Sequence, residues 1–117
     1  MLGTLNNGPL SAALAKAPAT AAEGFRILLA DNRLIVSGND ARGVLYGVGH
    51  LLRKLHLTPG KVFGDEHLEI TTAPKYPLRG HRLGYRPKTN SYDAWDLAQW
   101  EQYYRDLAVF GCNAVEL

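Results

Sequence analysis

Residues 38–52 read GNDARGVLYGVGHLL, an apolar helical stretch interrupted by Gly43, Gly47 and Gly49. Glycine inside a helix costs about 1 kcal/mol relative to alanine, so these three need a reason. One reason would be phosphate binding. A dinucleotide fingerprint places G-x-G-x-x-G at a strand-to-helix turn. Here the preceding strand ends at Gly38, and GVGHLL carries Leu52 where the third glycine belongs. Amides this deep in a helix are already hydrogen-bonded and cannot face an anion. No GK[ST] follows either, so a small nucleotide-binding domain is disfavoured. The other reason is close packing. Gly43 and Gly47 lie one turn apart and leave a face with nothing beyond Cα. Val44, Val48, Leu51, Leu52 and Leu55 recur at helical spacing and predict the buried stripe. Burial contributes roughly 1.5–3 kcal/mol per such side chain, enough to offset the glycines. Asn39 or Asp40 is placed to cap the helix. Arg53 and Lys54 suit its last turn, and Pro59-Gly60 marks the turn beyond.

Working outward, residues 24–38 (GFRILLADNRLIVSG) predict a hairpin turning at Asp31-Asn32, both tolerant of positive φ. Phe25, Ile27 and Leu29 share one face, continued by Leu34 and Val36. A short helix is expected over 10–17, after a turn at Asn7-Gly8-Pro9. Residues 61–74 predict two short strands around Gly64-Asp65, with Leu68, Ile70 and Thr72 alternating. Pro74 and Pro77 bracket a stiff linker, PKYP, which predicts a boundary between domains at 1–76 and 77–117. Beyond it, 78–85 reads as a strand and RPKTNSYDAW as a long polar turn. Residues 96–111 read as an amphipathic helix. Asp96 and Gln99 match a capping box, and Gly111 ends the helix. Leu97, Trp100, Tyr104, Leu107 and Ala108 line its predicted face. Residues 112–117 begin another strand. Strand, helix and strand make a βαβ unit. Two strands cannot bury their own faces, so the unit predicts the opening of a larger barrel or sheet. The expected fold class is α+β followed by an incomplete (β/α)8 barrel.

Composition is that of an ordinary soluble domain: 117 residues, 46% hydrophobic, 21% charged, net charge +2. No basic stripe argues for nucleic acid. No run is long and apolar enough for a membrane span, and the N-terminus lacks the basic start of a signal peptide. The compartment stays open, with secretion or the periplasm included for a longer parent. Cys112, the sole cysteine, excludes an internal disulfide and a zinc cluster and is expected as a buried structural thiol. His50, His56, His67 and His81 show no metal-ligand spacing. No metal or cofactor is expected.

The residues EGFRILLADNRLIVSGNDARGVLYGVGHLLRKL, followed by APKYPLRG, resemble the domain that precedes the barrel in glycoside hydrolase families 20 and 67. These are the β-N-acetylhexosaminidases and the α-glucuronidases. The resemblance covers 23–81 and extends loosely to 117, where LAVFGCNAVEL is similar to the first barrel helix and second strand. It implies a part of an enzyme that hydrolyses O-glycosidic bonds, with carbohydrate as partner. It also implies that the catalytic carboxylates lie on later strands, so that this chain alone is inactive. Arg79 in PLRG matches the barrel-entry arginine that holds sugar hydroxyls in family 20. The family then continues with apolar residues and an aspartate, where this chain has HRLGYRPK. A protein carboxylate at the barrel foot would serve the Arg79 guanidinium equally well.

Position adds further candidates. Barrel active sites lie at the C-terminal ends of the strands. His81, Arg82, Arg86 and Lys88, with Tyr85 and Tyr92, fall at the end of the first barrel strand, and Glu116 sits near the end of the second. Arg82 and Arg86 suit a sugar carboxylate, tyrosines suit a sugar ring, and Glu116 suits a hydroxyl. A solvated loop is the competing reading. Trp95, Trp100, Tyr103 and Tyr104 are expected as core rather than as a sugar platform. A non-catalytic carbohydrate-binding or interaction module is the alternative function.

Overall fold

A computed structural model describes residues 2–4, 21–30, 33–64, 67–83 and 91–116. The helix expected at 10–17, the turn before it, Asp31-Asn32 and Asp65 lie outside these residues, as do Tyr85, Arg86 and Lys88. The architecture is α+β. Strand β1 (Leu2–Thr4) is followed by the hairpin β2 (Phe25–Ala30) and β3 (Arg33–Gly38), then helix α1 (Ala41–Leu52). Next come β4 (His56–Thr58), β5 (Lys61–Phe63) and β6 (Glu69–Thr72). The chain ends with β7 (Gly80–Arg82), a 3-10 turn (Ser91–Ala94), α2 (Leu97–Val109) and β8 (Ala114–Glu116).

The main sheet runs β1-β3-β2-β6. Ala30 pairs with Arg33 and Phe25 with Gly38, which is the register of the predicted two-residue hairpin. Its period-two pattern places Ile27 and Val36 opposite each other, fully buried against α1 with Phe25, Tyr46 and Leu51. Leu34, Val48, Leu55, Leu68 and Ile70 pack around that core.

The helix meets the sheet through its glycines and through part of the predicted stripe, Leu51 in the core with Val48 and Leu55 packed against it. A Cβ on Gly47 would lie 2.8 Å from Val36 Cγ1 and 3.1 Å from Phe25 Cβ. One on Gly43 would strike the Gly24 carbonyl. The stripe is accordingly rotated. Tyr46, which lies between these glycines, is buried, while Leu52 is exposed and Val44 and Val48 are half-buried. Asp40 is the cap, its Oδ1 accepting from the Gly43 amide at 2.8 Å. The helix closes one residue early, with Arg53 as C-cap and Lys54 beyond it.

Sequence periodicity missed β4. It pairs with β5 across Pro59-Gly60, where Gly60 has φ +77°, and this small hairpin stands apart from the main sheet. The two strands expected around Gly64 therefore do not share a sheet: β5 joins β4 and β6 joins β2.

After the linker, β7 and β8 pair in parallel with Gly80 opposite Ala114 and Arg82 opposite Glu116. Helix α2 connects them. Its capping box is complete: Gln99 N donates to Asp96 Oδ1 at 2.9 Å and Asp96 N to Gln99 Oε1 at 3.0 Å. Gly111, at φ +87°, follows the C-cap Phe110. The face predicted for α2 is only partly covered: no residue of the helix is buried, and Leu97 and Tyr104 are exposed. The described residues contain this one βαβ unit and form no barrel. No helix among them is long and apolar enough to cross a membrane.

Candidate functional site

The richest polar constellation lies where the linker passes the start of α1. Glu23 is at its centre. Its backbone adopts φ 60°, a left-handed conformation uncommon for a residue with a side chain. The Glu23 amide donates to Asp40 Oδ2 at 2.8 Å, so the cap carboxylate holds two backbone donors. Those two amides, Glu23's first and Gly43's second, hold the Asp40 carboxyl below its ordinary range. The Glu23 carboxylate is gripped from both sides. Arg79 Nη2 donates to Oε2 at 2.6 Å and Arg42 Nη1 to Oε1 at 2.8 Å. The hydrogen bond from Arg79 is the main reason its acidity is enhanced; burial opposes it, and the charges of Arg79 and Arg42 with the Asn113 hydrogen bond add to the lowering.

Arg79 is occupied by protein groups. Besides Glu23, its Nε donates to the Gly111 carbonyl at 2.9 Å and its Nη1 to the Tyr76 carbonyl at 2.8 Å. The guanidinium carbon lies 5.3 Å from the centre of the Tyr46 ring. The Arg79 amide donates to Asn113 Oδ1, and Asn113 N donates to the Arg79 carbonyl. Tyr46 adds a further link, its hydroxyl donating to the Cys112 carbonyl at 3.3 Å. Cys112 itself is half-buried, a free thiol short of the full burial expected. The guanidinium assigned by resemblance to sugar hydroxyls thus ties β7 and β8 to the segment before β2. The groove beside it, about 590 Å³, is lined by Glu23, Asp40, Arg42, Lys75, Tyr76 and Arg79, among others. Both its carboxyls are held ionised, so neither suits the role of general acid in glycoside cleavage.

Arg82 and Glu116 lie elsewhere, at the C-terminal ends of the parallel strands. They are cross-strand neighbours, with Arg82 Nε 3.6 Å from Glu116 Oε1, and both are solvent-exposed. A second groove of about 280 Å³ runs between them, His81 and Val115. The His81 ring contacts Tyr103, its Nδ1 within hydrogen-bonding reach of the hydroxyl. The structure therefore brings Arg82 and Glu116 together and sets Arg79 apart from them. Arg86 lies outside the described residues.

Trp95, Trp100, Tyr103 and Tyr104 form one aromatic cluster with ring centres 5.2–6.1 Å apart. They cover each other while remaining partly open to solvent. Among the described residues no group of three or more His, Cys, Asp or Glu side chains is placed to hold a metal ion. Sequence reasoning missed Glu23, Tyr46 and Asn113. Glu23 belongs to no motif, and its two arginine partners lie 19 and 56 residues away. The one sequence signal for Tyr46 is its place as an aromatic between two helix glycines, Gly43 and Gly47. No family model and no curated protein matches the chain.

Proposed function

We propose that this chain is part of a glycoside hydrolase, hexosaminidase-like or α-glucuronidase-like, acting on an oligosaccharide or polysaccharide. In this reading residues 1–76 form the accessory α+β domain and 77–117 the opening strand-helix-strand of a (β/α)8 barrel. The observation that carries it is the β7–α2–β8 unit. Parallel strands joined by a helix occur in sheets covered on both faces, yet β7 is exposed along its length and α2 buries no residue. Such a unit is suited to receive further βα units. The sequence resemblance across 23–81 supports the same arrangement.

Arg82 and Glu116 then stand at the rim where barrel substrates bind, and Arg86 follows β7 in sequence. Arg79 serves as a clamp between the two parts. The acid and its partner carboxylate belong to strands outside these 117 residues, so the chain alone performs no hydrolysis.

The test is to express both the 117-residue chain and the product of its continued reading frame. Each is assayed on nitrophenyl N-acetylhexosaminides and on glucuronic-acid-substituted xylo-oligosaccharides. The longer product is expected to release sugar and the short one to match buffer. Turnover by the short chain would overturn the reading. So would a longer product that binds sugar without cleaving it, which identifies a carbohydrate-binding module instead.

A further inference from the structure

We propose that the seam between α1 and the end of α2 holds a binding site for a small oxyanion, built on His50 and Arg53. This inference concerns a different place from the strand-end rim and is independent of the hydrolase reading. A cavity of about 230 Å³ opens there, lined by Phe25, Tyr46, His50, Arg53, Arg79 and Phe110, among others. The described lining carries three basic side chains and no acidic one. Arg79 is answered by Glu23 on its far side. The other two are not answered. Arg53 donates through Nη1 to the Val109 carbonyl and lies 5.0 Å over the Phe110 ring, but no carboxylate among the described residues pairs with it. His50 rests against the Phe25 ring, 5.4 Å between centres, and neither ring nitrogen has a hydrogen-bond partner among the described residues.

His50 and Arg53 are three residues apart on one helix, so they are neighbours on its surface. A planar guanidinium beside an imidazole suits the oxygens of sulfate, phosphate or a carboxylate. The charges around His50 are of one sign. Its own helix end contributes Arg53 and Lys54, and the segment after β6 contributes the paired Arg79. The facing residues Phe25, Phe110 and Gly111 carry no titratable side chain. Burial, reinforced by Arg53 and Lys54, keeps the ring neutral below its ordinary pH range. A bound anion would reverse that balance, so anion and proton bind together by linkage.

The test follows the imidazole proton signals of the full 117-residue chain through a pH titration at constant ionic strength. It is run in chloride, sulfate, acetate and glucuronate. Sulfate is expected to raise the His50 midpoint by about half a unit, roughly a threefold preference of the anion for the protonated form. His56, His67 and His81 should titrate as in chloride. Arg53→Gln should abolish the shift. Because Arg53 also holds Val109, His50→Gln gives a second arm: sulfate should still move the amide signals of residues 50–53, only more weakly. Glucuronate acting below the acetate concentration supports the site and identifies a sugar acid as the ligand; equal action supports it with free anions as the source. A His50 midpoint unchanged by sulfate would overturn the proposal, as would a shift shared by all four histidines.

Discussion

Glu23 concentrates the cost and benefit of this fold in one residue. A left-handed backbone disfavours its side chain, yet that conformation lets its amide reach Asp40 while its carboxylate meets Arg42 and Arg79. Three charge-assisted contacts offset the strain. Arg42 is mostly exposed, so its share is small. The Arg79 contact is largely covered and carries most of the effect. Glu23→Gln keeps the shape and removes the charge. It should destabilise the protein by about 1–3 kcal/mol at neutral pH. The pH dependence has a definite sign. The native Glu23 carboxyl titrates below its ordinary value of 4.5. Its stabilisation is therefore fully present above that value and is lost as pH falls through the lower native one. Urea midpoints of wild type and Glu23→Gln should differ at pH 7 and converge in strong acid. A constant gap across the range would show that the charge is not what stabilises.

At the scale of elements, α1 carries two glycine faces. Gly43 and Gly47 admit the Gly24 carbonyl and the Val36 and Phe25 side chains. Gly49, off that face, admits the backbone of Val109, so two helices touch where side chains would hold them apart. Alanine is the better helix former by about 1 kcal/mol, and in an exposed helix these substitutions would stabilise. Here Gly43→Ala and Gly49→Ala should each destabilise, by roughly 1–3 kcal/mol, because the colliding atoms are backbone. Thermal melts with a midpoint at or above wild type for Gly49→Ala would disprove the helix contact. The sequence made the packing role of the glycines legible, since their placement inside the helix excludes a phosphate cradle. It did not reveal which neighbour each one admits. The hairpin, the α2 capping box and the βαβ order were equally legible, because adjacent residues set them. Strand β4 was not: three exposed residues, HLT, carry no period. The burial of Tyr46 in place of Leu52 was hidden because the close approach at the glycines rotates the helix, keeping Leu51 in the core and turning Leu52 outward.

At the scale of the whole fold, the described residues form a sheet-and-helix part around β2, β3 and α1 and a β7–α2–β8 part that meets it along a seam. The first part has a core of its own, centred on Ile27 and Val36. The second shows none among its described residues: α2, β7 and β8 contain no fully buried residue. Holding it in place are the Gly49–Val109 contact, the Arg53 bond to Val109, the Tyr46 bond to the Cys112 carbonyl and the Arg79–Glu23–Asn113 network. This also explains why the candidate site was only partly readable. Arg82 and Glu116 share a register set by their neighbours in β7 and β8. The partner of Arg79 depends on how the two parts dock, which no local pattern encodes. If the accessory part positions the start of a barrel, the βαβ unit must fold on it in a fixed pose. Both tryptophans, Trp95 and Trp100, lie in the second part, so their fluorescence reports on it alone. Urea unfolding followed at once by tryptophan fluorescence and by far-ultraviolet circular dichroism should give one coincident transition. A fluorescence change complete before the dichroism begins to fall would contradict the docked arrangement.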